Sequence, residues 1–226
     1  MKAIIWGKYG GPDVLKLGVI DKPVPKDNEI LVKIHATTVS AGDCEMRELK
    51  FSFIFKILIR ILFGFLKPKD KILGQELAGE VESMGKNVTR FKVGDRVFAS
   101  TGMKLGAYAQ YICIAENPID TALAIMPRNM SFEQATSIPI GGMAALHFLK
   151  IASVEAGDRV LINGAGGSIG TIAIQLAKYY GAEVTAVDRT EKLDILLSAG
   201  ADYVIDYKKE DFTSQSKTYD IIFDVI

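Results

Sequence analysis

Residues 159–188 read RVLINGAGGSIGTIAIQLAKYYGAEVTAVD: an apolar run, a glycine-dense turn, an amphipathic stretch, a second apolar run and an acid. Residues 160–162 have the composition of a strand that is buried on both faces. Gly164, Gly167 and Gly170 recur every third residue, which permits a tight turn and a close approach of backbone to a pyrophosphate. The order of these parts predicts a strand–turn–helix–strand unit that binds a dinucleotide.

The predicted helix begins near Ser168, and its free N–H groups would point at the phosphates. Asp188 ends the second apolar run, where a carboxylate can accept hydrogen bonds from a ribose. The strict six-residue fingerprint is not met, because Gly164 and Gly166 are followed by Gly170 one residue late. The alternative is a packing turn without a ligand, but the flanking strand, helix and acid favour nucleotide binding. The predicted cofactor-binding residues of this turn are Gly164, Ala165, Gly166, Gly167, Ser168, Ile169 and Gly170.

The bulk composition excludes some classes of protein. Of the 226 residues, 49% are hydrophobic and 24% charged, so a sizeable core is available and global disorder is excluded. Twenty-seven basic residues balance 27 acidic ones, which argues against a general binder of nucleic acid or anionic membranes but is compatible with a local basic patch. Cys44 and Cys113 fit neither a disulfide framework nor a zinc ribbon. We expect reduced thiols in a cytoplasmic protein without a signal peptide.

Residues 51–66, FSFIFKILIRILFGFL, form the most apolar stretch of the chain. Sixteen residues carrying Lys56 and Arg60 are too short and too charged for a membrane span. We expect a helix that packs on its domain or lines a hydrophobic cleft. Peripheral membrane contact is the alternative.

The pattern of predicted secondary structure changes once along the chain. Short strands and turns dominate to about residue 120, which indicates a mostly antiparallel β domain. Ser131 and Gln134 form a predicted capping box, followed by a helix to about residue 152 that is interrupted near Pro139 and Gly141. From Arg159 onward strands alternate with helices. Predicted strands are 30–34, 79–84, 96–99, 107–114, 159–163, 183–187, 203–206 and 220–225, and predicted later helices are 168–180, 190–199 and 208–215.

This alternation is typical of a doubly wound parallel sheet whose four strands lie in the order 3-2-1-4. A six-stranded dinucleotide fold would need two more strands. We therefore expect the chain to be C-terminally truncated and its Rossmann sheet to be partial, with an apolar edge prone to association.

Five stretches resemble a known family in order and spacing: residues 29–47, 72–99, 106–111, 137–149 and 157–207. They are similar to the zinc-independent quinone oxidoreductases of the medium-chain dehydrogenase/reductase superfamily. The resemblance implies an α/β protein with a GroES-like catalytic domain at 1–125 and a partial Rossmann NAD(P)-binding domain at 126–226. It also implies an active site in the cleft between them.

Two departures concern metal. The zinc-dependent relatives carry a cysteine at the position of Ser40 and a histidine at that of Gln75. A hydroxyl and a carboxamide are poor zinc ligands, so we expect no catalytic zinc. His35 and His147 lie in apolar runs and are interpreted as packing residues.

Without a Lewis acid, the resemblance implies reduction of quinones or α,β-unsaturated carbonyls by hydride transfer from a nicotinamide cofactor. Ser40 stands where quinone reductases carry an asparagine, and Asp43 matches a family aspartate; both are candidate catalytic residues. Asp43 has a structural role as its alternative, and Tyr108 is interpreted as packing.

The choice of cofactor rests on a few side chains. Asp188 favours NADH, because a carboxylate repels a 2′-phosphate. Lys192 and Tyr207 match positions that hold this phosphate in NADPH-dependent relatives, and Arg189 adds a cation. We predict NADPH, with NADH as the alternative.

Other functions remain open. The chain could be a non-catalytic nucleotide-binding fragment, a crystallin-like protein or an enoyl-thioester reductase. The expected partners are a small quinone or enone and, in a full-length form, a second copy of the chain. Neither nucleic acid nor integral membrane association is expected.

Overall fold

The structure is a computed structural model that describes residues 1–69, 71–117, 121–214 and 216–226. Its contacts divide the chain into two compact units, Met1–Pro139 and Ile140–Ile226. Residues just before Pro139 pack with the first unit, where Met126 and Ala135 contact Ala78. The functional boundary between residues 125 and 126 stays a prediction.

The first unit is built on antiparallel strands, as the sequence predicts. Its strands are β1 (Lys2–Trp6), β2 (Leu15–Val19), β3 (Glu29–Thr37), β4 (Glu76–Met84), β5 (Arg96–Ser100), β6 (Tyr111–Ala115) and β7 (Ala122–Ile125). Five of them form a sheet in the order β6-β3-β4-β5-β7, while β1 and β2 form a separate hairpin. Alternate residues of the central strands, among them Val32, Leu77 and Val97, are fully buried and form the core of this sheet.

Two helices follow β3, namely α1 (Ala41–Glu48) and α2 (Phe53–Phe63). The helix predicted within residues 51–66 is confirmed. It buries Ile59 and Phe63 in a cluster with Trp6 and Tyr108. In the described parts of the chain no helix combines the length and the apolarity needed to cross a bilayer.

The region after β7 holds α3 (Phe132–Ala135) and α4 (Pro139–Ile151). The predicted capping box is confirmed: Ser131 Oγ accepts from the Gln134 N–H at 3.2 Å, and Gln134 Oε1 accepts from the Ser131 N–H at 2.9 Å. The predicted interruption is confirmed beside Pro139 and is wrong at Gly141. The helices separate at residues 136–138, and Pro139 opens α4, where its missing N–H costs nothing. A Cβ at Gly141 would collide with the Ser168 hydroxyl, so this glycine permits close packing inside a continuous helix.

The second unit contains β8 (Arg159–Asn163), α5 (Ser168–Tyr179), β9 (Glu183–Asp188), α6 (Leu193–Ser198), β10 (Tyr203–Asp206) and β11 (Ile221–Asp224). All strand pairs are parallel, in the order β10-β9-β8-β11. This confirms the predicted order 3-2-1-4. The core is formed by fully buried side chains such as Ile162, Ile174 and Leu196.

The helix predicted at 208–215 is wrong for the residues that are described there, and Gln215 lies outside them. Residues 208–214 form turns instead. The Asp206 carboxylate accepts from the Lys208 N–H at 3.1 Å, and Asp211 accepts from the N–H and hydroxyl of Thr213 at 2.9 and 2.6 Å. Aspartate side chains that bond nearby backbone compete with helix formation.

Candidate functional site: a glycine turn and a capped helix

The turn between β8 and α5 is fixed to the end of the neighbouring strand β9. Gly164 adopts φ +76°, a conformation that favours glycine. The N–H groups of Gly164 and Ala165 both donate to the Val187 carbonyl, at 3.1 and 3.0 Å. Gly167 is the N-cap of α5, so the first N–H groups of this helix point outward beyond the turn. The predicted position of the helix start at Ser168 is confirmed.

The glycines of the turn differ in the space around them. A Cβ at Gly170 would lie 2.5 Å from the Ala165 Cα, so this glycine allows α5 to pack against the turn. A Cβ at Gly167 would meet only the Gly164 carbonyl, at 3.6 Å, so the backbone there is bare and open. Such an exposed backbone above a helix N-terminus fits a pyrophosphate.

Ala165 explains the irregular spacing of the glycines. Ala165, Gly167 and Gly170 stand at the first, third and sixth places of a six-residue fingerprint, with a fully buried alanine in the first place. If Gly164 is taken as the first place, the last glycine, Gly170, comes one residue late; if Ala165 is taken as the first place, the spacing fits. The signal was present in the sequence, because alanine is the smallest side chain after glycine.

Asp188 is buried and its carboxylate turns into the glycine turn. Its Oδ2 accepts from the Gly166 N–H at 2.7 Å, and its Oδ1 accepts from the Arg189 N–H at 2.8 Å. These two bonds leave lone pairs that can accept from a ribose hydroxyl. Asp188 therefore shapes the turn as well as standing at the predicted ribose position.

Lys192 reaches the same turn from the segment that follows β9. Its Nζ donates to the Gly166 carbonyl at 2.8 Å, and a Cβ at Gly166 would collide with the Lys192 side chain. The Tyr207 N–H donates to the Asp188 carbonyl at 3.2 Å while its ring stays half exposed. The Arg189 guanidinium lies 3.6 Å from the Glu191 carboxylate. The structure thus gathers Asp188, Lys192 and Tyr207 beside one turn, and these residues fit an adenosine phosphate.

In the first unit, Ser40 and Asp43 form a reciprocal cap at the start of α1. The Ser40 hydroxyl donates to Asp43 Oδ2 at 2.7 Å and accepts from the Asp43 N–H at 3.1 Å, while the Ser40 N–H also donates to Oδ2, at 2.9 Å. A serine hydroxyl has one proton, and here this proton lies on the bond to Asp43. Any donation by Ser40 to a substrate oxygen would require this bond to break.

Asp43 and Tyr108 line the same cavity of about 520 Å³, together with Cys44. Asp43 Oδ1 and the Tyr108 hydroxyl are buried, and neither has a hydrogen-bond partner among the described residues. Burial, and after it the charge of Asp43, raise the pKa of Tyr108, so its phenol stays protonated near neutral pH. Sequence reasoning missed this pairing, because nothing in the sequence shows that two distant residues share a cavity.

Gln75, which the family resemblance places at a zinc-ligand position, is engaged in a contact within the protein. The Gln75 side-chain amide donates to the Gly102 carbonyl at 3.3 Å. Within the described ranges, no three His, Cys, Asp or Glu residues are grouped so as to hold a metal ion. His35 stacks on Phe132 with ring centroids 4.4 Å apart, and His147 contacts Phe148 at 5.3 Å.

Comparisons with known proteins agree with this architecture. The alcohol dehydrogenase GroES-like domain family matches residues 26–123, and the zinc-binding dehydrogenase family matches residues 168–226. The NADPH-dependent alkenal/one oxidoreductase of Arabidopsis thaliana chloroplasts is 36% identical over 237 residues. The match covers 100% of this chain but 57% of that relative, so the chain spans little more than half of the relative's length.

Two solved structures resemble the chain closely. A quinone oxidoreductase from Coxiella burnetii has a TM-score of 0.84 at 34% identity, with 100% of this chain and 68% of that chain covered. An Escherichia coli quinone oxidoreductase complexed with NADPH has a TM-score of 0.76 at 30% identity, with coverage of 93% and 60%.

Proposed function

Since the chain belongs to the quinone oxidoreductase family of the medium-chain dehydrogenase/reductase superfamily, we propose that it contributes to NADPH-dependent reduction of quinones or α,β-unsaturated carbonyls. The observation that carries this proposal is the glycine turn. Lys192 and the buried Asp188 both bond to Gly166, and the neighbouring Gly167 leaves open backbone at the start of α5. When bound, the nicotinamide cofactor supplies the hydride. The chain's own residues bind and orient it.

Several side chains support NADPH over NADH. Both Asp188 oxygens accept backbone N–H bonds, which offset part of the charge that would repel a 2′-phosphate. Lys192 places an ammonium group beside the Gly166 carbonyl. Arg189 follows Asp188 in the chain, the Tyr207 N–H bonds to the Asp188 carbonyl, and both side chains are exposed. A cation next to a phosphate forms a charge-assisted hydrogen bond. The similarity to a quinone oxidoreductase solved with NADPH supports the same choice.

The proposed reaction uses no catalytic zinc. Ser40 and Gln75 offer a hydroxyl and an amide where zinc-dependent relatives have stronger ligands, and both side chains are hydrogen-bonded within the protein. We propose Ser40 as the group nearest the substrate and Asp43 as the residue that positions it. Activity retained after dialysis against a chelator would support this part, and activity restored only by added zinc would contradict it.

We propose a small quinone or enone as the partner, a homodimer of the full-length protein, and a cytoplasmic location. We propose neither a nucleic-acid partner nor integral membrane association.

The test replaces Lys192 by alanine and titrates NADPH and NADH against each variant by fluorescence. Loss of one charged hydrogen bond contributes roughly 1.5–3 kcal/mol, or about 10- to 100-fold in affinity. We expect that loss for NADPH and an NADH affinity changed by less than about threefold. Lys150→Ala removes an exposed lysine at the end of α4 and serves as the matched control.

Two outcomes would contradict the proposal. One is an unchanged NADPH affinity in Lys192→Ala. The other is a wild-type chain that binds NADPH but, when extended to the length of its relatives, fails to oxidise it on addition of a small quinone or enone.

A further inference from the structure

Helix α2 carries a row of exposed apolar side chains that face away from the core of the first unit. Its outward residues Phe53, Ile54, Phe55, Ile57, Leu58, Ile61 and Leu62 are all exposed, Ile54 to 79%. Phe65 and Leu66 continue this surface beyond the helix, with Leu66 exposed to 86%. Apolar patches of this kind mark binding surfaces. We call these nine residues the α2 face.

The α2 face is a broad convex arc. At about 100° per residue, its seven helical members spread over roughly 200° of the helix circumference. The two buried residues, Ile59 and Phe63, lie on the opposite side and anchor the helix in the core of the first unit. Lys56 and Arg60 lie on one flank between the exposed and the buried sides. The helix thus presents apolar side chains outward while its other side is fixed.

Between Glu48 and Asp70, the segment that carries the α2 face has charges of one sign. Residues 49–69 contain five cations, Lys50, Lys56, Arg60, Lys67 and Lys69, and no Asp or Glu. The Arg60 guanidinium packs against the rings of Tyr9 and Phe65, at 5.9 and 5.7 Å from their centroids. A second copy of this face would bring cations against cations, which disfavours self-association through it. The arrangement fits an apolar surface that carries negative charge.

We propose that the α2 face binds the surface of an anionic lipid bilayer, with the helix lying in the plane of the interface. Eleven residues at about 1.5 Å each give a helix of roughly 16 Å, too short to span the hydrocarbon layer of about 30 Å. An interfacial helix inserts its apolar side chains and keeps lysines at the level of the headgroups. Lipid chains conform to a convex arc of 200°, whereas a protein groove would have to enclose half the helix. The inference rests on the first unit alone and is independent of the proposed reaction.

The test is flotation of the chain with vesicles of phosphatidylcholine, alone or mixed with phosphatidylglycerol. We expect the chain to float with the mixed vesicles, to float weakly with phosphatidylcholine alone, and to be partly released by salt. The double variant Ile54→Gln with Leu58→Gln, at the centre of the α2 face, should bind the mixed vesicles at least about tenfold more weakly. Lys50→Gln with Lys67→Gln should weaken binding to the mixed vesicles only.

The matched control is Ile195→Gln with Leu197→Gln, which makes the same change at two exposed positions of α6. It should float like the wild type. Circular dichroism and NADPH titration show that each variant is folded, and they report on the proposed function separately.

Three results would overturn the proposal. The first is a folded wild-type chain that floats with neither vesicle. The second is an equal loss of binding in the α6 control. The third is an oligomer that Ile54→Gln with Leu58→Gln dissociates in the absence of lipid, which would identify the face as a protein interface.

Discussion

The glycine turn of the second unit and the Ser40–Asp43 cap of the first unit both join a carboxylate to the start of a helix, but they satisfy it differently. Asp188 accepts a backbone N–H on each oxygen. Asp43 accepts two bonds on Oδ2 and none on Oδ1, and the neighbouring Tyr108 hydroxyl is also unpartnered among the described residues. Both carboxylate oxygens at the turn are therefore hydrogen-bonded to backbone, whereas one carboxylate oxygen at the cap can still accept a hydrogen bond. We therefore expect cofactor binding at the turn to depend on the open space above its backbone. We expect the stability of the cap to depend on its individual hydrogen bonds.

The largest expected effect is at Gly167. Its backbone is open, so Gly167→Val should leave the turn folded, yet the new side chain would occupy the place that a pyrophosphate needs. We expect NADPH binding to be abolished in a fluorescence titration while the melting temperature stays close to that of the wild type.

Gly170→Ala is the matched control for this prediction. Its Cβ would lie 2.5 Å from the Ala165 Cα, so we expect a stability loss of about 1–3 kcal/mol from overpacking. Wild-type NADPH affinity in Gly167→Val would show that the turn is not the phosphate site. Equal unfolding of the two variants would show that the turn has no open side.

The same contrast explains which parts of the molecule were predictable from the sequence. The turn, α5, β9 and the strand order come from consecutive residues and short-range periodicity, which a sequence displays directly. The region 208–214 was mispredicted because side-chain bonds of Asp206 and Asp211 favour turns over the helical periodicity. The predicted break near Gly141 failed because the glycine there serves helix packing against Ser168, a tertiary effect.

The site in the first unit was only half predictable. Ser40 and Asp43 are three residues apart, and their spacing is that of a capping pair. Tyr108 joins Asp43 through the fold of the chain, and Gly74, whose Cβ would collide with the Tyr108 ring, makes room for it. Such contacts between distant residues have no periodicity from which they could be inferred.

The second effect in size is at Ser40. Ser40→Ala removes the acceptor for the Asp43 N–H and the donor to its carboxylate, so we expect a loss of about 1 kcal/mol in the free energy of unfolding. Ser40→Asn should restore most of it, because asparagine is a good N-cap. Urea unfolding measures both changes. We expect the NADPH affinity to be unchanged in Ser40→Ala. An equal loss in the free energies of NADPH binding and of unfolding would show that the cap also contributes to cofactor binding.

The smallest effect is expected at Tyr108. The pKa of the Tyr108 hydroxyl is raised by burial and by the nearby Asp43 carboxylate, but this hydroxyl makes no hydrogen bond of ordinary geometry, so its removal costs little in lost bonds. Tyr108→Phe should therefore leave the free energy of unfolding unchanged or raise it by up to about 1 kcal/mol. Tyr179→Phe, at a ring that is 84% exposed, makes the same chemical change in solvent and should have no effect. A loss of 1 kcal/mol or more in Tyr108→Phe alone would mean that the hydroxyl is bonded to Asp43 in solution. The cap would then be as fully satisfied as the turn, and the contrast between the two regions would disappear.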